Sequence, residues 1–151
     1  MAFRGFNMAP PGSLLKGEKA KGKGKSAALG RNPRVNDAKH LAFIRTLECL
    51  SCGADPAGEA AHLRASSLKH GKPNAGAGAK PDDMWTLPLC SMCHTQGNHA
   101  QHRVGERPFW DKLGINPFMV CEELFSATGN REASGLVIIH ARGGAFPPDW
   151  N

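Results

Sequence analysis

Cys49-Leu50-Ser51-Cys52-Gly53 and Leu87-Pro88-Leu89-Cys90-Ser91-Met92-Cys93-His94 are the stretches on which the reading of this chain turns. Each holds a Cys-x-x-Cys pair, and Cys49, Cys52, Cys90 and Cys93 together match the tetrahedral thiolate set of a structural Zn²⁺. Such a metal would clip shut the loop between the pairs and couple its closure to folding. Two disulfides, or four unrelated core cysteines, are the alternatives. Doubled pairs at this spacing in a chain with only five cysteines favour zinc over either. Cys121 is then an ordinary free thiol.

Composition makes a staple necessary. Of 151 residues, 18 are glycine, 11 are proline and none is tyrosine, so the apolar core is thin for the length. There is no run of about 18 apolar residues and no apolar signal-peptide core at the N-terminus. The expectation is a cytoplasmic protein without membrane association, in a reducing compartment where paired cysteines hold metal rather than each other.

Charge is concentrated at one end. Residues 1–39 hold nine lysines and arginines against Glu18 and Asp37, a local +7 in a chain of net +6. A basic tail on a nearly neutral remainder points to a polyanionic partner, with nucleic acid first, although a solubilising extension has the same composition. Residues 1–34, including the run KGEKAKGKGK at 16–25, have too little apolar surface to offset the entropy of ordering and are expected to be disordered.

The remaining chain reads as α+β. Asn36 or Asp37 can cap a helix whose apolar positions are Leu41, Ile44 and Leu47 or Leu50. His62 lies at a short strand or strand end, residues 66–80 form a long glycine- and lysine-rich loop, and Met84–Leu89 forms a second strand, which Pro88 marks as an edge strand or the end of one. A helix is expected to start at the second knuckle and to be broken or distorted at Gly97-Asn98. A second helical piece, Glu106–Leu113, should end at Gly114. Beyond it come a helix-like run (MVCEELF), a strand at Gly135–His140 and a loose C-terminus.

Strand, loop, strand and helix around a zinc clip, with His62 and His94 brought together, resembles the HNH, or ββα-metal, nucleases in their zinc-stapled form. The residues that carry the resemblance are Cys49-x-x-Cys52, Ala61-His62-Leu63-Arg64, Lys80-Pro81-Asp82-Asp83 and Leu87-Pro88-Leu89-Cys90-x-x-Cys93-His94. His40 to Arg45 and the segment Ala100-Gln101-His102 with Glu106, Phe109-Trp110 and Gly114-Ile115 make it most similar to small phage-encoded members. The resemblance covers about residues 35–117, leaving 118–151 as a short C-terminal extension.

The resemblance implies a DNA endonuclease of little sequence specificity. His62 would be the base that takes a proton from water, and His94 a ligand of a catalytic Mg²⁺ or Mn²⁺ distinct from the structural zinc. No small-molecule organic cofactor is implied. Two family positions differ. Ala61 stands where Asp or His ligates the cation, so His102, Asp83, Asp82 or Glu59 must substitute, with Asn98 and His99 as further alternatives. The Asn that orients the base is missing, and Asp83 stands nearest to its place. An unbroken helix would hold His102 about 12 Å from His94, so joint ligation requires a break at Gly97. Arg64, Lys69, Lys72 and Lys80 lie near the base in sequence and are candidate phosphate contacts. The competing reading, favoured by Ala61, is a zinc-stabilised nucleic-acid-binding protein without catalysis.

Overall fold

A computed structural model describes residues 33–74, 76 and 78–150. The disorder expected of the basic tail covers residues 1–34, of which 1–32 lie outside them and Arg34 is held by bonds to Pro81 and Asp83. The described chain runs α1 (Ala38–Ile44), β1 (Glu59–His62), β2 (Thr86–Leu89), a π-helical turn (Met92–Gln96), α2 (Gln101–Val104), α3 (Glu106–Leu113), α4 (Pro117–Ser126) and α5 (Arg131–Arg142). This is a mixed α+β arrangement around one small sheet.

Local chemistry accounts for the element ends. Asp37 caps α1 by accepting the His40 N–H. Asn116 caps α4, whose first residue is Pro117, and Gly114 ends α3 in the left-handed region at φ 69°. The strands pair antiparallel with Ala60 opposite Pro88 and His62 opposite Thr86. A two-stranded sheet is all edge, which is why a proline fits its second strand. The Pro88 carbonyl is still used, accepting the Leu50 N–H at 2.9 Å and hanging the first cysteine knuckle on the sheet.

Among the described residues, one core runs from Ile44 to Ala141. Ile44, Leu47 and Leu50 meet Leu63 just past β1, Leu87 and Leu89 from β2, Trp110 from α3, Phe118 and Leu124 from α4, and Ile138 from α5. Each such side chain contributes on the order of 1.5–3 kcal/mol by leaving water. Residues after 117 are therefore an integral wall of this core.

Two expectations for that wall are corrected. Gly135–His140 is the middle of helix α5, although its Val-Ile-Ile run reads as a strand. The buried positions Ser134, Ile138 and Ala141 follow helical spacing, Asn130 caps the helix by accepting the Ala133 N–H, and packing on α4 overrides β propensity. Nor is the segment after α5 loose. The Phe146 carbonyl accepts the Asn116 N–H at 2.7 Å, and Trp150 meets Phe118 edge-on while donating to Asp111 at 2.6 Å.

Candidate metal centre and histidine pocket

The sulfurs of Cys49, Cys52, Cys90 and Cys93 all lie within 4.8 Å of one another. Tetrahedral Zn–S bonds of about 2.3 Å set sulfurs about 3.8 Å apart, and Cys52 and Cys90 stand at 3.6 Å. The four cysteines can thus hold a metal ion such as zinc. Both knuckles are shaped by their own backbone: Gly53 N–H returns to the Cys49 carbonyl at 2.8 Å, and the Cys93 and His94 N–H groups return to the Cys90 carbonyl at 3.0 and 2.9 Å. Burial pushes the Cys49 and Cys93 thiols up, whereas at Cys52 the Ala54 N–H and the neighbouring thiols outweigh burial and pull it down. Crowded, partly buried thiols that resist ionising together are a donor set that a divalent cation satisfies. Gly53 is required here by its φ of +79°; a Cβ would also displace the Arg142 guanidinium, which packs on the knuckle 2.7 Å from that position.

A cavity of about 450 Å³ opens beside the sheet, lined by Ala60, His62, Arg64, Lys80, His94 and His102 among others. His62 donates from Nε2 to Asp83 Oδ1 at 3.0 Å. Asp83 is only 2 % exposed, and its carboxyl sits below the usual range: burial opposes this, but bonds from His62, the Asp37 N–H and Arg34 prevail. An ionised carboxylate only accepts, so the His62 proton is on Nε2 and Nδ1 is left as an acceptor. Asp83 therefore stands where it can orient His62.

The π-helical turn delivers the other two histidines. The Gly97 N–H reaches the Met92 carbonyl at 2.9 Å, and a Cβ at Gly97 would meet that oxygen at 2.5 Å. Glycine thus permits the tight turn, after which the chain reverses and α2 brings the His102 ring to 4.4 Å from that of His94. His94 Nδ1 donates to Glu59 Oε2 at 2.6 Å. A carboxylate on one ring nitrogen fixes the tautomer and leaves the other, Nε2, as a ligand atom.

Other candidates fall elsewhere. Ala61 is 1 % exposed and faces the core, so no ligand could enter the pocket from that position; Ala60 takes the pocket face. Asn98 and His99 are exposed on the turn before α2, and Asp82 accepts the Val35 N–H. Of the four basic candidates, Arg64 and Lys80 line the cavity. Lys69 pairs with Asp149. Lys72 is corrected: at 1 % exposure it belongs to the interior, its Nζ over the Trp85 ring and 3.4 Å from the Arg64 carbonyl, and burial lowers its pKa.

Two residues carry more than their spacing announces. Glu106, at the start of α3, accepts the Arg64 and Ala65 N–H groups, each at 2.7 Å, and so fixes the chain just after His62. Arg34, assigned by composition to the tail, is bonded to Asp83 and to the Pro81 carbonyl. Isolated charged residues give no periodic signal, so only the folded chain reveals these contacts.

No helix among the described residues is long and apolar enough to cross a membrane. Neither the curated proteins nor the solved structures include a match to this chain. The model of one protein family, described as a protein of unknown function (DUF968), matches residues 28–127, which take in Arg34, both knuckles, the histidine pocket and α4, and the chain belongs to that family.

Proposed function

We propose that this protein is a metal-dependent DNA endonuclease of the HNH type, with a structural zinc on its four cysteines and a second, catalytic cation at the histidine pocket. The observation that carries the reading is the convergence of an Asp83–His62 pair and a Glu59–His94 pair, with His102 beside the latter, on one cavity rimmed by Arg64 and Lys80. His62, held through Nε2, presents Nδ1 to a water and takes its proton. His94 and His102 would hold the cation, with Glu59 orienting His94. The cation supplies neutralisation of the scissile phosphate and of the departing oxygen. Arg64 and Lys80 hold flanking phosphates, and the basic tail adds sequence-independent affinity. A cytoplasmic setting and a phage origin accompany this reading.

Supercoiled plasmid incubated with the protein and Mg²⁺, Mn²⁺, Ni²⁺ or EDTA tests it. Wild type should nick the plasmid with a divalent cation and not with EDTA. His62→Ala should lower the rate by about 10²–10⁴-fold without changing DNA affinity. His94→Ala should lose activity in a way that excess Mn²⁺ partly restores, and both variants should keep their zinc. Tight DNA binding without cleavage under any cation would replace the enzyme with a zinc-stabilised binding protein, a reading to which Ala60, which faces the pocket and offers no ligand atom, lends weight.

A further inference from the structure

Segment 34–37 is stitched to segment 81–83 by a set of bonds that the zinc and the sheet do not require. Arg34 reaches Asp83 Oδ1 with its guanidinium and donates from Nε to the Pro81 carbonyl at 2.8 Å. Val35 N–H meets Asp82 Oδ1 at 2.9 Å, and Asp83 N–H returns to the Val35 carbonyl at 3.1 Å. Asp37 N–H donates to Asp83 Oδ2 at 2.8 Å. Asp83 is therefore gripped on both oxygens by this segment, and Oδ1 also accepts from His62 Nε2.

We propose that Arg34 is a positioning residue for His62, acting through Asp83, and that residues 34–37 are a working part of the site rather than the end of a tail. The inference rests on the reading of His62 as the proton acceptor. A buried carboxylate needs a countercharge and fully used oxygens to hold one orientation. Arg34 provides the countercharge from outside the cavity, which spares the imidazole that task. The Asp37 N–H and the Pro81 carbonyl fix the carboxylate plane and the guanidinium fork. Asp83 then accepts the His62 proton on one line only, which selects the Nε2–H tautomer and aims Nδ1 into the cavity. Arg34 is itself absent from the cavity wall, so its contribution is to geometry and not to substrate binding.

The test compares wild type with Arg34→Gln, Arg34→Lys and Asp83→Asn, all checked for full zinc content. Long-range ¹H–¹⁵N spectra of the histidine rings should show His62 as the Nε2–H tautomer in wild type. Arg34→Gln and Asp83→Asn should convert it to a tautomer mixture, and Arg34→Lys should keep most of the wild-type signature. In plasmid cleavage, Arg34→Gln should lower kcat about tenfold with KM and salt dependence unchanged. His62 resonances in Arg34→Gln that superpose on wild type would overturn the proposal. So would a variant that alters KM or the salt slope while kcat stays intact, since Arg34 would then touch the substrate. If wild type cuts no DNA, the nuclease reading fails and the ring spectra alone decide the role of Arg34.

Discussion

The cysteine cluster and the histidine pocket are built on the same two strands and differ in how their ligand atoms are committed. Leu89, opposite Glu59, leads directly into Cys90 at one end, while His62 and Thr86 pair at the other, about 10 Å away along a four-residue strand. The four sulfurs are neighbours of one another and form a closed set, complete for a tetrahedral ion. The histidines are instead held by carboxylates, His62 by Asp83 and His94 by Glu59, and each keeps one ring nitrogen uncommitted beside a cavity. A closed set stabilises a fold, whereas an open one leaves atoms for chemistry. That contrast separates the proposed metal staple from the proposed catalytic site.

Removing the staple should produce the largest effect. Structural zinc sites bind with about 10–16 kcal/mol, comparable to or larger than the whole stability of a domain this size. Chelation, or Cys90→Ser, should therefore unfold the protein cooperatively, as read by near-UV circular dichroism alongside elemental analysis. A variant that stays folded without metal would erase the distinction between the two sets.

An intermediate effect is expected at Gly97. A methyl group there lies 2.5 Å from the Met92 carbonyl oxygen, so Gly97→Ala must open the turn at a cost of about 1–3 kcal/mol. The fold and the zinc should survive, while the contact between the His94 and His102 rings is lost in nuclear Overhauser spectra. Retention of that contact would show that the glycine is not what aligns the pocket.

The smallest effect concerns pH. The Asp83 carboxyl is held below its usual range in the folded protein, so the unfolded chain takes up the proton first. Its stabilisation is complete above about pH 4, the unfolded value, and is lost as pH falls through the lower folded value. Urea unfolding should show a stability gap between wild type and Asp83→Asn that is constant above about pH 4 and narrows below it. A gap that widens toward acid would mean that the carboxylate is strained rather than satisfied.

Much of the candidate site's geometry was legible in outline. The knuckles announced themselves because metal chemistry demands particular ligands at particular spacings, and His62 and His94 stood out by their relation to those knuckles. The limits of α3 could be read directly, since Glu106–Leu113 presents Phe109 and Trp110 to the core and Gly114 ends it. Lys72 misled because a lysine in a glycine-rich loop looks solvated, and nothing local says that its stem will lie on Trp85. The α5 segment misled because β-branched residues match either a strand or a buried helix face, and the partner decides which.

By itself the amino-acid sequence determined which donor atoms exist and how the cysteines are paired along the chain, because ligand identity and short spacing are covalent facts. It also narrowed the first cap to Asn36 or Asp37 and determined the stop at Gly114, where side chain and backbone act within a few residues. Only the tertiary structure decided that Ala61 faces the core while Ala60 faces the cavity, that Glu59 is the carboxylate on His94, and that Arg34 grips Asp83. Those outcomes depend on strand register and on contacts between residues 35 to 49 positions apart, which no local spacing encodes.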